Sequence, residues 1–299
     1  MRAALCGNAG LNSCNIESNT KMERFTIGVI ISTYNNPKWL EKTLWGYMCQ
    51  SRPADEIIVA DDGSGPETKA LIEAYMGKLP ISHVWHEDKG FRKTRILNTA
   101  LLRSKADYLI FTDQDCVPRQ DFIATHERYA RCGRFLSGGY FRLPMDISQA
   151  ITQADIQAGR AFSTRWLKEM GMKWSEKWLK LAKSQAFTRL MNHVTPARAT
   201  WNGCNASGWR DDLLAVNGFN EEMRYGAEDR ELGVRLNNLG IRPCQVRYSA
   251  IVLHLDHKRP YKHEEEMRKN RAIMMASKRD KLIQTPHGLN LHEKENTHK

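Results

Sequence analysis

Continuous apolar runs alternate regularly with amphipathic stretches, and this constrains the fold more than any other feature of the chain. FTIGVIISTY (25–34) is β-branched and unbroken, as a strand buried on both faces should be. Pro37 then stands where a first helical turn begins, and PKWLEKTLWGYMCQ carries apolar residues at helical spacing. A second strand is expected in DEIIVADDGS (55–64), a helix in ETKALIEAYMGK and a short third strand in ISHVWHE. FRKTRILNTALLRSK (91–105) is expected to be helical and DYLIFTDQD (107–115) a fourth strand. Strands separated by such helices imply βαβ units and a parallel sheet.

Ligands of parallel sheets collect at the carboxyl ends of the strands. The clusters Thr33-Tyr34-Asn35, Asp61-Asp62-Gly63-Ser64 and Asp113-x-Asp115 all fall at those ends. In an extended chain Asp113 and Asp115 point to the same side, and two like charges so close call for compensation. Solvent would supply it, and so would a divalent cation. The first turn reads STYNNP, without glycine, and no G-x-x-x-x-G-K-[ST] occurs. A dinucleotide bound in the Rossmann manner is therefore not expected. Acids at these strand ends suit a base or ribose contact, and a Mg²⁺ or Mn²⁺ bridging a diphosphate.

The 299 residues include 45 Lys+Arg against 34 Asp+Glu, a formal charge of +11. That excess favours anionic partners, whether nucleotides, nucleic acid or an anionic membrane surface. Seven scattered cysteines without a C-x-x-C pair read as a reduced, intracellular protein. No apolar stretch approaches the ~18 residues of a membrane span. Residues 1–21 lack a sustained apolar core, so a signal peptide is not expected; residues 1–24 are expected to be a disordered lead or an over-extended start.

TYNNP, ADDGS, the KTR of Lys93–Arg95 and the TDQD of 112–115 together resemble the nucleotide-binding half of a GT-A family two glycosyltransferase. WNGCNAS (201–207), GFNEEMRYGAEDREL (218–232) and HLDHK (254–258) resemble its acceptor half, and are similar to the C-terminal regions of galactosyltransferases and chondroitin-polymerase-type enzymes. The resemblance implies an α/β GT-A fold, a Rossmann-like and mostly parallel sheet flanked by helices. It divides residues 25–258 into a nucleotide-binding half (25–135), a helical insertion (147–195) and an acceptor half (200–258). Residues 259–299 are expected to form a basic C-terminal helix and a disordered tail. The implied activity is an inverting, metal-dependent transfer of a sugar from a UDP-sugar to a hydroxyl of a cell-surface glycan, such as lipopolysaccharide core or capsule. Galactose is slightly favoured as the sugar.

The resemblance also implies roles for individual residues. Asp115 is the main metal ligand and Asp113 its assistant. Asp61 or Asp62 meets the uracil or ribose, and Thr33 and Tyr34 flank the base. Arg95 contacts the base or diphosphate, for which a guanidinium fork is suited. Asp229 is the expected base and Glu228 holds an acceptor hydroxyl. On its own, an acidic first helical turn would only stabilise the macrodipole. His257 first, and His254 second, join the metal, which tilts the ion toward Mn²⁺ over Mg²⁺; Asp256 between them is a rival ligand. Residues 160–190, basic and rich in tryptophan, are read as helical, either lying on an anionic membrane or covering the acceptor cleft. The expected partners are a nucleotide-sugar donor and a glycan or glycolipid acceptor, with no nucleic acid, in the cytoplasm or peripheral at the inner membrane face. Two rival readings remain, a degenerate nucleotide-sugar-binding module without turnover and a basic nucleic-acid-binding protein. The latter predicts steeply salt-dependent binding.

Overall fold

The computed structural model describes residues 24–258 and 263–292. Residues 1–23 of the expected lead, and 259–262 and 293–299 of the expected C-terminal region, lie outside the described residues. The first half follows the alternation read from sequence: β1 (Ile27–Thr33), α1 (Pro37–Met48), β2 (Glu56–Asp61), α2 (Pro66–Met76), β3 (Ile81–Trp85), α3 (Lys93–Arg103) and β4 (Tyr108–Asp113). All of β1 is buried, which explains its unbroken apolar run. Asn36 caps α1 by accepting the Trp39 N–H, and Pro37 opens the helix.

Beyond β4 come β5 (Cys116–Pro118), α4 (Phe122–Tyr129), β6 (Arg134–Ser137) and β7 (Gly139–Arg142). The insertion contributes α5 (Met145–Ala150), α6 (Gln153–Gln157), α7 (Thr164–Glu169) and α8 (Gln185–Val194). The chain ends with β8 (Ala206–Trp209), α9 (Arg210–Ala215), α10 (Glu228–Asn238), β9 (Arg242–Gln245), β10 (Ile251–His254) and α11 (Glu264–Arg279).

The main sheet has the order β3-β2-β1-β4-β8-β6-β9, and β5-β10-β7 form a second sheet. Only β8 runs against its neighbours β4 and β6, so the main sheet is mostly parallel. Thr33 pairs with Asp61 and Ser32 with Asp113, which brings the ends of β1, β2 and β4 level. Alternate residues of β1 serve two cores, Val29 and Ile31 on one face and Ile30 on the other. A third core joins the second sheet, through Phe141 and Leu253, to Ile147, Ile156 and Leu167 of the insertion. Lys42 of α1 fastens this layer: its buried Nζ donates to the carbonyls of Ser148, Gln149 and Ile151, each at 2.8 Å.

Two expectations need correction. Residues 160–190 are not one helix: a 3₁₀ turn at Arg160–Phe162 precedes α7, and a second at Glu176–Leu181 separates α7 from the start of α8. Gly171, at φ +84°, takes a left-handed conformation that stops α7, and Trp178 is buried as core rather than displayed. The tail is also ordered as far as His292. Leu289 is buried in the core that holds Val216 and Phe219. Asn217 clamps it, donating Nδ2–H to Thr285 O at 2.7 Å and accepting the Asn290 N–H at 3.1 Å.

Candidate active site

Strand β4 stops at Asp113, and Gln114 and Asp115 form a turn into β5. The turn separates the two acids that an extended chain would hold side by side. Asp113 Oδ1 accepts from Lys93 Nζ and Ser32 Oγ, both at 2.6 Å. Asp115 Oδ2 lies 2.8 Å from His257 Nε2 and 3.7 Å from His254 Nε2. Each carboxylate thus has its own compensating partner. Gln114 between them holds the end of β1: its Oε1 accepts from Thr33 Oγ1 at 2.5 Å and Tyr34 N at 3.0 Å, and its Nε2 donates to Tyr34 O at 3.1 Å.

The donor set around Asp115 fits a divalent cation. The two imidazole rings are stacked, 5.8 Å apart and 9° from parallel. His254 Nδ1 donates to Leu255 O and His257 Nδ1 to Lys258 O, both at 2.9 Å. Protons on both Nδ1 atoms leave each neutral ring an Nε2 lone pair, the form that ligates metal. Two such lone pairs facing one carboxylate oxygen call for a cation between them, a proton or a metal ion. Burial opposes the Asp115 anion, but the two histidines outweigh it and hold the carboxyl below its ordinary range. Cys116 also converges on this point, with Asp115 and His254. Its thiol donates to Asp115 at 3.4 Å, and burial pushes it well above the usual thiol range. Trp39 Nε1 donates to Asp256 O at 3.0 Å and Ser148 Oγ accepts the Asp256 N–H at 2.9 Å, which fixes the segment between the histidines.

The second carboxylate pair opens α10. Ala227, just before it, has φ +72°, a conformation that costs a non-glycine residue free energy and aims the first turn. Glu228 Oε2 accepts the Gly226 N–H at 2.6 Å. Asp229 turns into a cleft of about 270 Å³ lined also by Tyr140, Arg198, Trp201, Asn202 and Arg247. Its Oδ1 is buried and accepts no hydrogen bond among the described residues. Gly203 permits this placement, because a Cβ there would stand 2.4 Å from Asp229 Oδ2. Burial raises the Asp229 carboxyl, with Lys93 pulling against it. Burial and the Asp229 charge push Glu228 up to about 8. Burial works to lower the Lys93 ammonium, but Asp113, Asp229 and Glu228 overcome it and hold the group well above its usual range.

The other residues read from sequence lie along the strand ends and the start of α3. Asp61 is fully buried, its Oδ1 on the Ser64 N–H at 2.8 Å and its Oδ2 2.9 Å from His83 Nε2. Asp62 Oδ1 lies 2.7 Å from His86 Nε2, and its Oδ2 accepts the Arg92 N–H at 2.9 Å, immediately before Lys93. Both acids therefore brace turns, and Asp62 sets the start of α3. Arg95 pairs with Glu221 at 3.1 Å, and Lys93, two residues earlier, pairs with Asp113 at the end of β4. Thr33 is buried on Gln114, while Tyr34 is exposed and donates its hydroxyl to Asp88 at 2.8 Å. Sequence reading missed Gln114, His83, His86 and Gly203; among these only Gln114, inside the D-x-D, carried a positional signal.

Level strand ends, a carboxylate–imidazole cluster and an acidic helix start facing a cleft define a GT-A glycosyltransferase. Residues 28–134 match the model of glycosyl transferase family 2, and residues 189–258 that of the N-terminal domain of galactosyltransferase. Residues 28–134 are thus a family two glycosyltransferase domain, followed at 189–258 by a galactosyltransferase-type one. It is 26% identical over 273 residues to the uncharacterized glycosyltransferase YfnE of Bacillus subtilis, covering 82% of this chain and 69% of that protein. It spans only 52%, 56% and 32% of the next three curated relatives. Its fold is similar to the mannosyltransferase PcManGT from Pyrobaculum calidifontis in complex with GDP-Man and Mn²⁺ (TM-score 0.57, 20% identity, 88% of this chain and 65% of that one). It is likewise similar to TarS 1–349 of S. aureus in complex with UDP-GlcNAc (TM-score 0.57, 17% identity, 86% and 69%).

Proposed function

We propose that the protein moves one sugar from a UDP-sugar to a hydroxyl of a glycan or glycolipid, with inversion, as a step in building a surface glycan such as lipopolysaccharide core or capsule. The observation that carries this reading is Asp229, which lines the cleft and whose Oδ1 is buried without a hydrogen-bond partner among the described residues. A hydroxyl entering there would donate its hydrogen bond to the Asp229 carboxylate. As the hydroxyl oxygen bonds to the anomeric carbon, its proton passes to Asp229 and the bond from carbon to the β-phosphate oxygen breaks, releasing UDP. One displacement inverts the centre. Burial raises the basicity of Asp229 and Lys93 restrains it, the balance a base working near neutral pH needs. Glu228, protonated at neutral pH, orients the acceptor.

Asp115, His257 and His254 would hold the metal, with Asp113 behind them, and the mixed oxygen and nitrogen donors favour Mn²⁺. Bound there, the ion would neutralise charge on the departing diphosphate. The uridine assignment draws on the family resemblance and on the UDP-GlcNAc held by TarS. The test is a thermal-shift panel of nucleotides and nucleotide sugars with Mn²⁺ or EDTA, paired with measurement of nucleotide release. A UDP-sugar should raise the melting temperature in a Mn²⁺-dependent way and release UDP when acceptor is present. Stabilisation by guanosine nucleotides alone would overturn the donor. Binding without release from any donor and acceptor would leave a sugar-binding module.

A further inference from the structure

Helix α8 is mounted inside out. The side chains it turns toward the protein are polar: Thr188 and Asn192 are buried. Asn192 donates Nδ2–H to Ser249 Oγ at 2.8 Å and accepts the Tyr248 N–H at 2.8 Å. Its outward face is apolar, with Leu190 59% and Val194 60% exposed, and Phe187 and Met191 half-buried beside them. Positions 187, 190, 191 and 194 form one stripe at helical spacing. Hydrogen bonds therefore seat this helix, and its aliphatic surface is left facing out, which usually marks an interaction site. The insertion just before it displays Trp174, 72% exposed, and Leu179.

Around these apolar groups the same segment carries exposed cations: Lys168, Lys173, Lys177, Lys183 and Arg189. Lys180 is not among them, since its Nζ turns inward to donate to Tyr140 O at 3.0 Å. The acids of residues 164–194 are Glu169 and Glu176, and Glu169 is taken up by Arg165 at 3.0 Å. We infer that the insertion docks on an anionic lipid bilayer, with the α8 stripe and Trp174 entering the headgroup boundary and the lysines meeting lipid phosphates. Charge decides the occupant. A second copy packed on the same face would set these lysines against their own equivalents, whereas anionic lipid neutralises them.

The position gives docking a use. Arg198, four residues beyond Val194, lines the cleft that holds Asp229, and Gln245 Nε2 ties the intervening strand of chain down at Ala197 O, 2.9 Å away. A bilayer on α8 therefore brings the cleft to the surface where a lipid-linked acceptor lies. Docking itself is independent of which nucleotide the donor carries.

The test is cosedimentation of the full chain with vesicles of phosphatidylcholine alone or mixed with phosphatidylglycerol. The protein should bind the mixed vesicles, less so as salt is raised. Leu190→Ser with Val194→Ser should lower the partition about tenfold or more, and so should Lys177→Glu with Lys183→Glu. Both variants should keep the wild-type melting temperature and nucleotide-induced shift, since all four side chains are exposed. Failure of the wild type to bind anionic vesicles, or equal binding by the Leu190/Val194 variant, would overturn the proposal. So would a wild-type dimer in light scattering that the Leu190/Val194 variant makes monomeric, because the occupant would then be a second copy.

Discussion

Lys93 Nζ stands 2.6 Å from Asp113 Oδ1 and shares its charge with Asp229 and Glu228. One ammonium thus links the β4 acid to the pair that opens α10. Removing it leaves the Asp113 and Asp229 carboxyl groups facing each other without that cation.

Lys93→Met should cost about 1–3 kcal/mol of stability, less than the ~3–5 kcal/mol for breaking a fully buried pair because both side chains keep some exposure. Chemical denaturation reads this directly. Lys93→Arg should recover most of the loss. Arg95→Met, which removes the Glu221 pair, should leave UDP affinity within about twofold. A large loss of UDP affinity in Arg95→Met with none in Lys93→Met would restore the reading that the sequence suggested.

Glu228, pushed up to about 8 from the model-peptide value 4.5, makes stability depend on pH. Between those values the folded state keeps a proton that the unfolded state has released. Its contribution is therefore complete below about 4.5 and is lost as pH rises through 8. Glu228→Gln, neutral in both states, should gain in melting temperature relative to wild type on going from pH 5 to pH 9. A constant difference across that range would mean that Glu228 is ionised in the folded protein.

The fold was legible because strands buried on both faces must be apolar throughout, and β1, β2 and β4 are. The class of site was legible for a related reason: acids at strand ends such as Asp61 and Asp113 stand out against those runs. Individual roles were harder to read. Lys93 and Arg95 lie two positions apart on α3, so they point to nearly opposite sides, and the string KTR does not say which side holds the ligand. Asp113 and Asp115 share a face only if the strand continues, and it stops at Asp113. Leu289 and Leu291 are the only leucines of the polar stretch 284–299, too few for a periodicity that would announce the burial of Leu289. In α8 the residues that seat the helix, Thr188 and Asn192, are polar, so no apolar periodicity marks the face that packs on the protein.

The metal reading predicts that Mn²⁺ strengthens nucleotide binding in the wild type and that EDTA removes the effect. Asp115→Ala should abolish that dependence and His257→Ala should weaken it strongly, by roughly ten- to a hundredfold if the ring is a ligand. Asp113→Ala, one step removed, should lose less. Calorimetric titration of UDP with and without Mn²⁺ measures all three. Unchanged metal dependence in Asp115→Ala would show the histidine pair to be a structural ion pair.

The central claim is that Asp229 takes the acceptor proton, and Asp229→Asn tests it most directly. Asparagine keeps the shape and one oxygen but cannot accept a proton. Turnover, measured as UDP release with acceptor present, should fall by roughly 10²–10⁴, while the dissociation constant for UDP with Mn²⁺ stays close to wild type. Near-normal turnover in Asp229→Asn would contradict the account, and collapse in Glu228→Gln alongside it would move the base one residue earlier.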